Sequence, residues 1–297
     1  MTQAQIICGK TLAAVIDEEV KEAVASLYTS FGKTPKLTVV VVGDDPASTI
    51  YVNNKVKRCR KVGIESQKLA LDANITLADL TQVIRDLSAE PETHGILLQL
   101  PLPNGMNARK ILHEIAPEKD VDGFHPLNFG NFMAGAQDAL APCTPQGCLR
   151  LLKTVIDDFH GKDATVIGCS NIVGKPMAEL LLQQGCSVTS VHHLSHDIEG
   201  KVRAADIIVA AAGSPHLVKA NWVKPGAVVI DVGINRLRDL GNGKSGIVGD
   251  VDFGAVSKIA SAITPVPGGV GPLTISYLLV NTVRAFAHQI GANELQL

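Results

Sequence analysis

The chain has no excess of either charge: 27 Lys and Arg stand against 29 Asp and Glu, a net charge of −2 over 297 residues. A nucleic-acid binder needs a basic surplus to neutralise phosphates, so that class is not expected. No apolar run approaches the ~18 residues of a membrane span. No basic segment leads into an apolar one after Met1-Thr-Gln-Ala-Gln5, so an export signal is not expected either. The six cysteines (Cys8, Cys59, Cys143, Cys148, Cys169, Cys186) form no C-x-x-C pair and no metal-ligand spacing. They read as small buried apolar residues of a reducing compartment. The expectation is a soluble, cytoplasmic protein without a metal. What is plentiful is apolar side chain, 46% of the residues, enough for about two domains with a core each.

The chain is organised around Ala164-Thr-Val-Ile-Gly-Cys-Ser-Asn-Ile-Val-Gly-Lys-Pro-Met-Ala-Glu-Leu-Leu-Leu182. A short apolar strand, 164–167, breaks at Gly168 and resumes as a helix with Met177, Leu180 and Leu181 on one side. A strand that turns through glycines into a helix presents backbone N–H groups and the positive end of the helix dipole, a phosphate site. Gly168 would let a pyrophosphate approach the backbone, and Gly174 would let the helix lie close to the strand. The spacing is not G-x-G-x-x-G: Ser170 takes the second glycine's place and Gly174 comes one residue late. Further strands are expected at 187–191, 206–210, 227–231 and 260–263, with helices between most of them. That alternation predicts a parallel, doubly wound sheet with the glycine loop on its first turn.

The first half alternates as well. A helix is expected over 11–31, with Leu12, Val15, Ile16, Val20, Val24 and Leu27 at helical spacing. Expected next are a strand over 36–42, a helix over 46–62 capped by Asp45, a strand over 65–71, a helix over 77–87 and a strand over 95–100. Residues 119–145 read as a long irregular region, a length that usually carries function. A helix over 146–156 leads into the second domain. Thr264-Pro-Val-Pro-Gly-Gly-Val-Gly-Pro272 reads as a stiff loop, followed by a closing helix over 273–289.

Tyr51 and Lys55 lie one turn apart on one helix face, which begins past the C-terminal end of a strand, where α/β folds place their sites. The pair is either a lysine stem over a surface ring or a catalytic lysine whose pKa burial would have to lower. Gln99 sits in the apolar strand Ile96-Leu-Leu-Gln-Leu100 and is either a core amide satisfied by backbone or the group that orients the lysine. Asp122, in Asp120-Val-Asp-Gly123, is either a turn residue or a carboxylate able to accept two N–H bonds from a pterin or purine edge.

Seven segments now stand together: Tyr51-Val-Asn-Asn-Lys55, Leu98-Gln-Leu-Pro-Leu-Pro103, Lys119-Asp-Val-Asp-Gly-Phe-His-Pro126, Pro142-Cys-Thr-Pro145, Gly168-Cys-Ser-Asn-Ile-Val-Gly-Lys-Pro176, Asp231-Val-Gly-Ile-Asn235 and Thr264 to Pro272. In this order they resemble the bifunctional methylenetetrahydrofolate dehydrogenase/methenyltetrahydrofolate cyclohydrolase family over essentially the whole chain. The resemblance implies an α/β protein of two domains. Residues 1–145 with 273–297 would form the folate and catalytic domain, the closing helix packing back on it. Residues 146–272 would form a Rossmann-like dinucleotide-binding domain.

It implies oxidation of methylenetetrahydrofolate with a nicotinamide cofactor, then hydration to 10-formyltetrahydrofolate. Lys55 would be the cyclohydrolase acid/base tuned by Gln99, with Tyr51 stacked on the folate and Asp122 on the pterin edge. Leu98, Leu100, Pro267, Gly268 and Gly269 would complete the folate site. Gly168, Cys169, Ser170, Ile172, Val173, Gly174, His193 and Ile234 would bind the dinucleotide. The family is typically a homodimer.

One departure stands out. Relatives commonly carry an arginine for the cofactor 2′-phosphate where Cys169 or His193 stands here. His192, His193, His196 and Lys175 would supply only partial compensation. No Asp or Glu closes the second strand to hold a free ribose, as NAD would require; Asp197 comes several residues late. NADP remains the expectation, bound with weakened affinity, and NAD the alternative. Two other classes compete: a shikimate- or amino-acid-type dehydrogenase, and a folate- or nucleotide-binding regulator without activity. The former leaves the Pro-Val-Pro-Gly-Gly loop and Asp122 unexplained; the intact Tyr51, Lys55, Gln99 and Asp122 set argues against the latter.

Overall fold

The computed structural model describes residues 3–44, 46–103, 105–136, 138–238 and 245–292, residues 46–50 by their backbone alone. The elements in order are β1 (Gln5–Ile6), α1 (Gly9–Phe31), β2 (Lys36–Val42), α2 (Pro46–Lys61), β3 (Glu65–Leu71), α3 (Leu77–Ala89), β4 (Gly95–Leu98), α4 (Ala108–Leu112), α5 (Pro126–Met133) and α6 (Cys143–Leu152). There follow β5 (Asp163–Ile167), α7 (Gly174–Gln183), β6 (Ser187–Val191), α8 (Ile198–Ala204), β7 (Ile207–Ala210), β8 (Val228–Asp231), β9 (Asn235–Leu237), β10 (Gly246–Val248), α9 (Phe253–Val256), β11 (Ala262–Ile263) and α10 (Val270–Gln289).

Two compact units emerge, Val15–Cys143 with Ile275–Leu297, and Met1–Ala14 with Thr144–Thr274. The first carries a parallel three-stranded sheet in the order β3-β2-β4. Its central strand is buried from Leu37 to Val42, as a parallel strand covered on both faces should be. Val40, Val42, Ile96 and Leu98 pack with Leu80 and Ile84 of α3 into one core. The closing helix does pack back on this unit. Phe286 meets His94 edge-on at 4.6 Å, and the Asn281 amide donates to the carbonyls of Val121 and Ala141, both at 2.9 Å.

The second unit is a six-stranded parallel sheet in the order β1-β11-β8-β7-β5-β6. From β5 the chain steps outward to β6, then returns to the other side of β5 to lay down β7 and β8. The order therefore reverses between β5 and β7, where doubly wound sheets bind ligands at the strands' C-terminal ends.

Several expectations need correction. Residues 1–14 belong with the second unit and not the first, because β1 adds in parallel to β11 with Gln5 opposite Ala262. The stretch 119–145 is not wholly irregular: α5 forms within it, with Pro126 at its first position and the ring of His125 accepting the Leu127 N–H at 3.1 Å. The closing helix starts at Val270, three residues early. Pro272 fits there because the first helical turn needs no donor from it. Val15 faces outward, the buried stripe of α1 running instead through Ala13, Ile16, Val20, Val24 and Leu27. Of the cysteines, Cys8 is exposed and Cys169 half-buried; the other four are buried. Asp45, expected to cap α2, lies outside the described residues. Among the described residues, no helix is long and apolar enough to cross a membrane.

Candidate active site

Helix α2 buries Val52, Lys55 and Cys59, residues spaced along one helical stripe. Lys55 thus falls on the inward face by periodicity, and only 6% of it is exposed. An ammonium so placed needs partners. Its Nζ donates to Gln99 Oε1 at 3.2 Å and lies 4.6 Å from the centre of the Tyr51 ring. Gln99 cannot turn away, since its Nε2 donates to the Leu100 carbonyl at 2.6 Å. The surface-stem alternative for Tyr51 and Lys55 is excluded by this burial, while Gln99 meets both a backbone carbonyl and the lysine. Buried Leu98 and half-buried Leu100 flank the amide, the latter preceding a cis proline, Pro101.

Asp122 is presented by a turn fixed from three sides. Asp120, 1% exposed, accepts the His125 N–H at 2.8 Å and the Asn128 amide at 3.0 Å. Asn281 and the Cys143 thiol both donate to the Val121 carbonyl, at 2.9 and 3.3 Å. Gly123 has φ +71°, and a Cβ there would come within 2.6 Å of the Leu140 carbonyl oxygen. Burial pushes the Asp122 carboxyl up to about 7, partly countered by the positive Lys55 and assisted by Asp120. Burial also lowers the Lys55 ammonium, which Asp122 opposes. Tyr51 is driven up to about 12, again by burial first and the Asp122 charge second. A base drawn down beside an acid drawn up is the usual signature of a proton-transfer site.

The other unit holds the glycine turn. After β5, Gly168 adopts φ +109°, and a Cβ on it would sit 2.1 Å from the Ala211 carbonyl oxygen. A Cβ on Gly174 would sit 1.9 Å from the Gly168 carbonyl oxygen, so α7 starts in the close contact with the strand that its glycine implied. The Ser170 hydroxyl accepts the N–H groups of Val173 and Gly174 at 3.2 and 3.4 Å. These two amides are therefore not free for a phosphate, because the serine at the second glycine's position holds them at the entry to α7.

Cys169 donates weakly to the Val191 carbonyl at 3.6 Å, while Ile172 and His193 are exposed. His192 accepts the Leu194 N–H on Nδ1 at 3.2 Å, and the two histidine rings stand 6.0 Å apart at 60°. Elsewhere in this unit a pocket of about 220 Å³ is lined by Lys10, Asp231, Ile234, Pro267, Gly268 and Gly269 among others. Gly268 has φ +106°, and the first residue of α1, Gly9, donates its N–H to the Gly268 carbonyl at 3.0 Å.

The expected residues thus fall in two groups. Tyr51, Lys55, Gln99 and Asp122 belong to one unit. Gly168 to Gly174, His193, Ile234 and Pro267 to Gly269 belong to the other. Lys10, Asp250 and Asn281 matter to these sites without any motif to announce them, and Cys143 matters from within the Pro142-Cys-Thr-Pro145 segment, though no role was expected of it. Asn281 and Cys143 act through backbone carbonyls, and Lys10 stands one residue before the expected start of its helix. Gly168 has no room for a Cβ because the Ala211 backbone stands against it, and its turn lies at the point where strand order reverses.

A doubly wound sheet with a glycine turn in one unit, and a buried lysine in a second α/β unit, define a nucleotide-linked two-domain enzyme. Residues 7–122 match the catalytic domain and residues 142–290 the NAD(P)-binding domain of the tetrahydrofolate dehydrogenase/cyclohydrolase family, and the chain belongs to that family. It is 53% identical to a bifunctional protein FolD of Rhizorhabdus wittichii over 98% of this chain and 97% of that one. The FolD methylenetetrahydrofolate dehydrogenase/cyclohydrolase of Campylobacter jejuni superposes with a TM-score of 0.91 at 48% identity, covering 96% of this chain and 99% of that one. The Trypanosoma brucei FolD, solved with NADP and an inhibitor, superposes with a TM-score of 0.92 at 38% identity over 98% and 99%.

Proposed function

We propose that this chain oxidises 5,10-methylenetetrahydrofolate to the 5,10-methenyl form with NADP and hydrates the product to 10-formyltetrahydrofolate, with Lys55 as the acid/base of the second step. The observation that carries this reading is the buried Lys55 ammonium held 3.2 Å from Gln99 Oε1 on the inner face of α2. When bound, the nicotinamide supplies a hydride acceptor for the methylene carbon. Losing hydride from a carbon between two nitrogens leaves a resonance-stabilised cation, so this step asks alignment of the chain and no general base. Tyr51 stacks on the folate, Asp122 accepts N–H bonds from the pterin edge, and Leu98, Leu100, Pro267, Gly268 and Gly269 contribute apolar walls and backbone.

Hydration does need proton transfer. Water attacks the cationic carbon while neutral Lys55 takes one of its protons. As the bond from that carbon to N5 breaks, the lysine ammonium returns the proton to N5. The remaining hydroxyl proton leaves to solvent, so the net change is uptake of one water and release of one proton. Burial of Lys55 supports this role, since it brings a lysine towards the range where it can be neutral when water attacks.

The dinucleotide is proposed to bind along Gly168, Cys169, Ser170, Ile172, Val173, Gly174, His193 and Ile234. Without an arginine at 169 or 193, its 2′-phosphate is held weakly. The site of action is proposed to be the cytoplasm. A homodimer is proposed as well, supported by β6, the outermost strand of its sheet among the described residues, whose free edge can meet a second copy. Incubating the purified protein with methylenetetrahydrofolate and either NADP or NAD tests the reading. A methenyl chromophore forming faster with NADP is expected; none with either nucleotide refutes it. Light scattering at the mass of one chain would refute the dimer.

A further inference from the structure

Two buried carboxylates tie together the C-terminal ends of β7 and β8. Asp231, 3% exposed, closes β8, and Asp250, fully buried, follows β10. Asp231 accepts the N–H groups of Gly233, Asp250 and Val251, each at 2.9 Å. Asp250 accepts three successive N–H groups, those of Ala212 (2.7 Å), Gly213 (2.8 Å) and Ser214 (2.9 Å), and the Asn235 amide at 2.8 Å. The fit leaves no slack. A Cβ on Gly233 would lie 2.3 Å from Asp250 Oδ1, and one on Gly249 would lie 1.9 Å from Asp231 Oδ2.

Consecutive backbone N–H groups that curl around one point form a concavity that commonly holds an anion. Here the chain supplies the anion itself. The loop so gripped leads out of β7, the neighbour of β5 at the reversal of strand order, and its Ala211 carbonyl is the atom a Cβ on Gly168 would strike. We propose that Asp250 is a positioning residue for the dinucleotide: its carboxylate, set in place by Asp231, holds residues 212–214 in the shape that receives the cofactor. This rests on the reading that the dinucleotide binds at the ends of β5 and β7. A neutral amide cannot substitute. Asn offers one acceptor and one donor where four donors converge, so at least one N–H faces another donor.

Hydration of methenyltetrahydrofolate uses no dinucleotide and gives an internal control. The NADP titration is run on the wild type, Gly168→Ala, Asp250→Asn and Asn235→Ala. Gly168→Ala is expected to weaken NADP binding; if it does not, the site assignment fails and the proposal falls with it. With that established, Asp250→Asn should raise the KM for NADP about tenfold or more while leaving cyclohydrolase kcat/KM within about twofold. Amide hydrogen exchange at 212–214 should quicken in the same variant. Asn235→Ala, which removes one of the four donors, should raise the KM about twofold to threefold and carries the test if Asp250→Asn does not fold. A folded Asp250→Asn with unchanged KM for NADP removes Asp250 from the role and leaves the site assignment standing. Equal loss of both activities would make Asp250 merely structural, and so overturns the proposal too; so would an Asn235→Ala enzyme with unchanged KM and unchanged exchange.

Discussion

At the scale of single residues, the site turns on how a lysine tolerates burial. Lys55 has one hydrogen-bond acceptor in Gln99 and a π face in Tyr51, while burial draws its pKa down. The Gln99 oxygen accepts from the ammonium and so favours the charged form. Gln99→Leu removes that preference and should move the rising limb of the cyclohydrolase pH profile to lower pH, with reduced kcat; an unmoved limb would detach Gln99 from Lys55. Asp122 titrates near 7, its charged form suppressed by burial. Only the carboxylate accepts on both oxygens, so folate KM should fall as pH rises through about 7. Asp122→Asn should flatten that dependence between pH 6 and 8, and a KM that keeps its slope would contradict the assignment. The same raised pKa has a stability consequence of fixed sign. The contribution of Asp122 to stability is full below its unfolded pKa of ~3.9 and is lost as pH rises through about 7.

At the scale of elements, α2 is held by a clamp that no motif revealed. Arg58, one turn beyond Lys55, donates its Nε to Asp17 of α1 at 2.9 Å and a second nitrogen to the same carboxylate and to Ser276 of α10. Ser276 closes the triangle by donating to Asp17 at 3.0 Å. Asp17→Ala deprives a largely buried guanidinium of its counter-charge and should destabilise the protein by about 3 kcal/mol. Urea denaturation measures it, and a loss below about 1 kcal/mol, the range of an exposed pair, would contradict the clamp. Gly174→Ala sets a methyl against the Gly168 carbonyl, a backbone atom that cannot swing aside. It should lower Tm and weaken NADP binding together. Unchanged affinity would separate the glycine from the site.

Much of this level was readable from sequence, for identifiable reasons. Strands β2, β3 and β6 ran where apolar content and bounding turns set them, since parallel strands between helices carry their own signal. What escaped depended on distant partners. Strand β1 has only two residues and exists because β11 offers it an edge. Helix α5 is short and interrupted by Gly130 and two asparagines, and is started by Pro126 and the His125 ring. The bond from the Val173 N–H to Ser170 is a local one, three residues apart, hidden because a glycine turn before a helix carries the pattern of a phosphate site.

On the scale of the whole molecule, the chain belongs to a family with a catalytic and an NAD(P)-binding domain, and it folds as two units, one a doubly wound sheet and the other built around β2. The polar residues of the lysine site were legible as candidates because they interrupt apolar patterns: Gln99 in a buried strand, Lys55 on a buried helix face. The supports were not: Asn281, behind the Asp122 turn, and Asp250, behind residues 212–214 of the other unit, each work through backbone groups far away in sequence. Exposed His192 and His193, and no arginine, stand at the proposed 2′-phosphate position, so NADP preference over NAD should be modest and should shrink further as salt is raised. A salt-independent preference of several orders of magnitude would mean a phosphate ligand elsewhere.

The most direct test is Lys55→Met given methylenetetrahydrofolate and NADP, with methenyl and 10-formyl products followed separately. Methionine keeps the length and apolar stem of lysine but cannot carry a proton. The variant should still form methenyltetrahydrofolate at a measurable rate and let it accumulate unhydrolysed beyond the spontaneous background. Hydrolysis at the wild-type rate would contradict the assignment of the second reaction to Lys55.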